Sequence, residues 1–215
     1  MQVGIIRMKS KTSEIFDEGK SVYLRSVPTE LRDELRLATA EVHERLHHHI
    51  GLAAVQAGSI DHRAYIKLLS RLYGFYRPFE GAAQLSPERT RWLESDLTAL
   101  GVDAAEREKL PRCAAFPHRF SADHVLGARY VVEGSALGGR GMARQLDALL
   151  GVGVTAGRQF FSGNGAATGA VWREYLALLT AVPCPVVQCT AIVAGANATF
   201  ATFEQWLGGW NSNDD

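Results

Sequence analysis

The sequence predicts an all-α protein, and three observations carry that reading. Apolar residues recur at helical spacing, most clearly at Leu31, Leu35, Ala38, Val42 and Leu46. No segment alternates apolar and polar residues as a half-buried strand would, and no internal repeat is present. Candidate caps and stops bracket the periodic segments, among them Thr29, Gly51, Pro78 and the pair Ser86-Pro87.

Taken in order, residues 1–28 show no sustained period and read as an N-terminal extension closed by Pro28. Thr29 suits an N-cap, and Glu30 places a negative charge in the first turn, where the helix dipole favours it. The first helix is expected to run to about residue 50, with Gly51 as its stop. A second is expected over 61–76, ending before Pro78. A third opens at Ser86-Pro87-Glu88, with proline at the first helical position, and continues to about residue 100. A short helix fits 103–109, and 111–121 reads as loop. A long helical pattern over 122–150 is interrupted by glycines, and 151–169 is glycine-rich and irregular. Helices follow over 170–180 and 186–207. The folded unit is thus expected over 29–207, with 208–215 as a flexible tail.

Composition narrows the function. The 215 residues are 47% hydrophobic and 21% charged, with a formal net charge of zero. Nucleic acid needs concentrated positive charge and is excluded as the main partner. Cys113, Cys184 and Cys189 form neither an even disulfide set nor a CxxC pair, and the N-terminus lacks a signal-peptide pattern, which points to the cytoplasm. The stretch between Glu174 and Glu204 is uncharged and long enough to span a bilayer. Pro183, Pro185, Gln188 and Asn197 interrupt it, so it reads as two buried helices joined at Pro-Cys-Pro.

The first helix carries candidate ligands. With residues placed about 100° apart, His43 sits beside the apolar stripe with Thr39, Ile50 and Arg36, and His47 lies further round. Arg36 precedes His43 by seven residues on nearly the same line, about 10 Å away at the helical rise. Read alone, His43 is either a ligand or a packed border residue. The run His47-His48-His49 points around the helix rather than at one spot and does not make a three-histidine metal site.

The segment from Gly127 to Gly141 is the most informative. On a helix, Gly127, Val131, Gly134, Gly138 and Gly141 share one face. Each interior glycine costs roughly 1 kcal/mol relative to alanine, so several on one face imply close approach of something to the backbone. That partner is either a second helix or a flat ligand. A phosphate loop is a poor fit, because the glycine spacing is wrong and no strand precedes the segment.

The two segments, in this order and about ninety residues apart, resemble the bacterial haem oxygenases. Residues Ala38-Thr39-Ala40-Glu41-Val42-His43-Glu44 match the proximal motif, with the iron-ligating histidine at His43. Residues Tyr130-Val131-Val132-Glu133-Gly134-Ser135-Ala136-Leu137-Gly138 resemble the distal helix. Trp172-Arg173-Glu174-Tyr175-Leu176 is a weaker match to a late helix, and Phe200 and Phe203 resemble aromatics that wall the pocket. The resemblance covers about residues 29–207. It implies a single-domain helical bundle holding haem between the first helix and a kinked, glycine-rich distal helix. Arg36 and Tyr130 are the implied propionate contacts, and Gly134, Ser135 and Gly138 the implied distal catalytic wall. Ser135 stands where animal members carry an aspartate that orders water. His47 departs from the acidic or amide partner usual four residues after the proximal histidine, which bears on the tuning of His43. The final helix also lacks basic residues for the second propionate.

The implied activity uses haem as both substrate and cofactor: oxygen activated at the iron oxidises a meso carbon, giving biliverdin, carbon monoxide and iron. Electrons would come from an external reductase or ferredoxin, and the bilin could pass to a photoreceptor. Two rivals accompany this reading. One is a haem-binding or haem-sensing protein without turnover, in which Cys184-Pro185 either supplies a thiolate or simply opens a helix. The other is a di-metal oxidase or thiaminase-like relative, with Glu133 and His43 as candidate ligands.

Overall fold

A computed structural model describes residues 31–182 and 185–209. The expected cap at Thr29, the 1–28 extension, Pro183, Cys184 and most of the 208–215 tail lie outside the described residues. Ten α-helices and a short 3-10 turn follow one another without a strand among the described residues.

Helix α1, Leu31–His47, ends three residues earlier than its periodicity suggests. The amides of His48 and His49 bond to the carbonyls of Arg45 and Leu46, tightening the last turn. His49 is then extended, and α2, Ile50–Gln56, starts in a new direction with Gly51 inside it rather than as a stop. The buried face of α1 is Leu35, Thr39, Val42 and Leu46. Ala38, expected in the core, is exposed. Thr39 replaces it because its hydroxyl donates to the Leu35 carbonyl at 2.8 Å and leaves its methyl group for packing.

Helix α3, His62–Ala83, is capped by Asp61, which accepts from the Ala64 amide at 2.8 Å. It continues through Pro78 instead of stopping before it. Proline cannot donate to the carbonyl four residues back, which belongs to Gly74. The Cys113 amide takes that carbonyl at 2.9 Å. Gly74 is also required sterically, since a β-carbon there would collide with the Pro111 carbonyl and come within 2.7 Å of Trp206.

Helix α4, Glu88–Ala99, has no side-chain cap of its own. The Glu80 carboxylate of α3 supplies one, accepting from the amides of Arg89 and Thr90 and from the Thr90 hydroxyl at 2.9, 3.1 and 2.6 Å. Helix α5, Ala104–Lys109, carries a capping box between Asp103 and Glu106. Helix α6, Ala122–Gln145, runs unbroken through every glycine from Gly127 to Gly141. The short α7, Asp147–Leu150, precedes the glycine-rich stretch, and α8, Gln159–Ser162, lies within it. Gly151, Gly153, Gly157, Gly163 and Gly165 there all take positive φ. Helices α9 and α10 span Thr168–Ala181 and Val186–Gly208.

The most extensive contact is between α6 and α10. A β-carbon at Gly127 would collide with the Ile192 carbonyl and lie 2.6 Å from the Ala196 amide nitrogen; one at Gly195 would lie 2.7 Å from the His124 α-carbon. The two helices therefore touch backbone to backbone. Two apolar clusters flank α6. One gathers α3, α4 and α8 around Tyr65, Phe75, Phe79 and Phe161; the other gathers α1, α9 and α10 around Leu35, Tyr175, Ile192 and Phe200.

Helix α10 is long and apolar enough to cross a membrane by length and composition. Its buried residues Ile192, Ala196, Thr199 and Phe200 belong to the core around α6 and α1. Cys113 is free and buried.

The glycines of α6 should respond oppositely to a methyl group. Gly127→Ala should destabilise the apoprotein by about 1–3 kcal/mol, the cost of overpacking. Gly138→Ala, with nothing within 4 Å of the new carbon, should stabilise it by up to about 1 kcal/mol in a urea titration.

Candidate active site

A cavity opens at the seam between the two apolar clusters. Its empty volume, including the open mouth, is about 1050 Å³. Helix α1 contributes His43, Leu46 and His47; α6 contributes Val131, Gly134, Ser135, Gly138 and Met142 among others; α10 contributes Thr199, Phe200 and Phe203. The inner wall comes from Leu72, Phe75 and Tyr76 of α3, Arg89 and Trp92 of α4, and Phe160 and Phe161 of α8.

The geometry around His43 suits a neutral ligand. Its ring meets His47 edge-on at 4.6 Å and Phe200 at 6.3 Å between centroids. Burial pushes its pKa below the ordinary 6.5, His47 adds to the shift, and Glu44 opposes it. The shift favours the neutral imidazole on the cavity wall. Glu44 lies 3.3 Å from His48 across an exposed turn.

The glycine face of α6 divides into two functions. Gly127 serves the crossing with α10. Gly134 and Gly138 line the cavity instead: a β-carbon at Gly134 would make ordinary contact with Trp172 at 3.5 Å, and one at Gly138 would meet nothing. Gly139 holds α6 close to α8, because a β-carbon there would press on the Phe161 carbonyl at 3.0 Å. Both partners that the sequence left open, a helix and an open space for a ligand, are present on one helix. Ser135 lines the same wall, its hydroxyl donating to the Val132 carbonyl at 3.0 Å.

Six of the residues singled out from sequence therefore meet on one cavity: His43, Gly134, Ser135, Gly138, Phe200 and Phe203. Arg36 and Tyr130 do not line it. The Arg36 side chain is exposed and lies 3.8 Å from Asp33. Tyr130 is half-buried, with its ring 5.6 Å from that of Trp172. The two are nonetheless neighbours, since burial raises the Tyr130 pKa and Arg32 and Arg36 oppose that shift.

Sequence reasoning missed the inner wall. Arg89 and Glu133 form an ion pair at 2.8 Å, with side chains 9% and 11% exposed. The available signal was an arginine in the first turn of a helix, where the dipole disfavours a cation. The aromatic pair Phe160-Phe161 lay in the stretch read as irregular. Asp96 positions it by accepting from the amides of Gln159 and Phe160 at 2.7 and 2.8 Å. Among the described residues no three His, Cys, Asp or Glu side chains group as a metal site, so the di-metal reading gains no support.

Burial pushes the Asp96 carboxyl up to about 6, against the hydrogen bonds from the two amides. Its folded pKa lies above the unfolded value, so its contribution to stability is full below about pH 4 and lost as pH rises through about 6. The stability of the parent protein relative to Asp96→Asn should therefore fall between pH 4 and 7; a pH-independent difference in thermal melts would contradict this.

The chain was compared with known proteins. The haem oxygenase family model matches residues 29–208. No curated protein matches. Among solved structures, haem oxygenase-1 of the cyanobacterium Synechocystis in complex with haem is 18% identical, covers 86% of this chain and 94% of its own, and superposes with a TM-score of 0.66. The NO- and CO-bound haem oxygenase of Neisseria meningitidis is 19% identical over 87% of this chain and 96% of its own, with a TM-score of 0.68. That of Leptospira interrogans is 16% identical over 83% and 98%, with a TM-score of 0.67. These likenesses establish the fold, and the family match over most of the chain establishes the lineage: the chain belongs to the haem oxygenase family, the enzymes that degrade haem.

Proposed function

We propose that the cavity holds haem with His43 as the proximal iron ligand and the Gly134–Gly138 stretch of α6 over the macrocycle. The observation that carries this is the pairing, on one apolar cavity, of a neutral imidazole with a helix face free of side chains. The residues fit the group. Neutral imidazole is the form that ligates iron, and the open space beside Gly138 is room that any β-substituent would begin to fill. Bound haem would supply oxygen activation at its iron and the meso carbon that is oxidised, with biliverdin, carbon monoxide and iron as products.

The protein's own contribution is placement and exclusion. Leu46, Phe200 and Phe203 give the ring apolar walls. Gly134 and Gly138 let it approach the backbone and place no acidic side chain there. Ser135 offers a hydroxyl without a carboxylate. Arg36 and Tyr130, neighbours outside the cavity lining, are the proposed contacts for a propionate. His47, whose ring touches that of His43, takes the place of a carboxylate partner and makes His43 a weaker electron donor to the metal.

Residues 29–207 form the catalytic unit in this proposal, with 1–28 and 208–215 as extensions. A separate reductase or ferredoxin supplies electrons, a bilin-accepting photoreceptor is a candidate recipient of the product, and the working compartment is the cytoplasm.

Haemin with a reductant in air should lose its Soret band while bilin absorption grows; a persistent Soret band would overturn turnover. His43→Ala should abolish both the histidine-ligated spectrum and turnover, whereas His47→Ala should slow turnover by no more than about 100-fold. The reverse pattern would move the ligand to His47. Gly138→Leu should fold and yet fail to take up haem in a spectrophotometric titration; tight uptake would mean that the glycine face does not meet the ring.

A further inference from the structure

Two imidazoles line the cavity on the α1 side, and the ligand chemistry above uses only one of them as a metal ligand. His43 and His47 are four residues apart, which puts them on one face of α1 within about a turn. Their ring centres lie 4.6 Å apart, with the planes at 76°. Two imidazoles bonded to one divalent ion at about 2.1 Å, with a bond angle of roughly 90–110°, place their ring centres roughly 4.6–5.3 Å apart. The pair already stands at the short end of that range. Its neighbours are committed elsewhere: His48 lies 3.3 Å from Glu44, and the His49 Nε2 lies 3.2 Å from the Leu207 carbonyl. Neither His43 nor His47 makes a hydrogen bond or an ion pair with the described residues.

The surroundings admit a cation. His47 is the last residue of α1, and the end of a helix favours positive charge. Glu44 adds a negative charge on the same turn. Of the cations nearby, Arg45 is tied to Glu204 at 2.6 Å, and Arg89 on the inner wall is tied to Glu133 at 2.8 Å. Both histidines are exposed at the cavity mouth, so solvent can fill the other coordination positions of an ion. A neutral imidazole carries one nitrogen lone pair. His43 can therefore ligate haem iron or share a second ion with His47, but not both at once.

We propose that His43 and His47 form a two-imidazole clamp for a divalent transition-metal ion, open only when no haem iron occupies His43. Imidazole suits zinc, copper, nickel and iron alike. Iron is also the ion that the reaction proposed above sets free at this wall. Ferrous iron released at His43 meets a second imidazole beside it, so the clamp delays the departure of the iron after the bilin has formed. That use of the clamp rests on the haem reading of the same cavity; the clamp itself does not.

Nickel(II) titrated calorimetrically into the haem-free full chain should bind at one site. His47→Gln keeps a polar side chain at an exposed position and should fold as the parent does. It should lose at least the roughly tenfold in nickel affinity that removal of even an outer partner of a metal ligand costs, and His43→Ala should do the same. His48→Ala should bind nickel as the parent does. Parental affinity in His47→Gln, or loss of binding in His48→Ala, would overturn the clamp. Haemin added first should abolish nickel binding at this site, and nickel bound alongside histidine-ligated haem would overturn the exclusion. In a single turnover, iron from the parent should reach a ferrous chelator later than bilin absorption appears, and His47→Gln should shorten that delay. Equal delays would overturn the iron-holding role. A parent that binds nickel through the pair but gives no histidine-ligated haem spectrum would instead overturn the haem reading and leave the clamp standing.

Discussion

Backbone contact between α6 and α10 is the constraint on which the site depends. At Gly127 and Gly195 neither helix has room for a β-carbon, so their separation at the crossing is set by backbone atoms rather than by adaptable side chains. Helix α6 is 24 residues long, about 36 Å, and continues well past the crossing. Helix α1 packs on α10 and α9 and makes no extensive contact of its own with α6. The space between His43 and the distal part of α6 is therefore defined through α10. The bidentate bond of Arg45 to Glu204, at 2.6 and 2.9 Å, ties the His43 end of α1 to α10. Being exposed, that bond contributes register more than energy.

A cavity of this size is a gap in the core, and its apolar walls lack partner atoms on one side. The fold tolerates it because each neighbouring cluster keeps many contacts of its own. Phe75 packs against Phe79, Phe116 and Phe203 at 5.6, 5.1 and 4.8 Å, and Tyr175 anchors α9 to the Leu126 carbonyl of α6 at 2.6 Å. A flat apolar ligand between the clusters restores the missing contacts, so occupancy and stability are linked.

What the sequence made legible follows from what is local. The helices, the His43 position and the glycine face depend on spacing within one segment, and each was readable at 3.6 residues per turn. The Pro78 boundary was misread because its resolution is not local: the Cys113 amide that takes the orphaned Gly74 carbonyl lies 39 residues away from Gly74 in the chain. The same holds for α4, whose cap is Glu80 of another helix, and for the Arg89–Glu133 pair, which joins residues 44 apart. Ala38 and Thr39 show a finer limit. Hydrophobicity favoured Ala38 for the core, but a threonine that bonds its own helix backbone loses its polar cost and fits the buried face better.

The chemistry of the wall shows why a cavity with several polar groups can host a reaction that must avoid strong acids. The hydroxyls of Thr199 and Ser135 already donate to the Gly195 and Val132 carbonyls. Burial holds His43 neutral and keeps Tyr76 protonated. Arg89 is bound to Glu133 at 2.8 Å, with Glu133 held behind it. The cavity thus presents the imidazoles of His43 and His47 at the α1 side and the Arg89 and Tyr76 side chains at the α3–α4 side. A donor set of this kind can orient water and stabilise developing negative charge on oxygen without itself releasing a proton readily. That combination, rather than any single residue, sets the polarity of the wall.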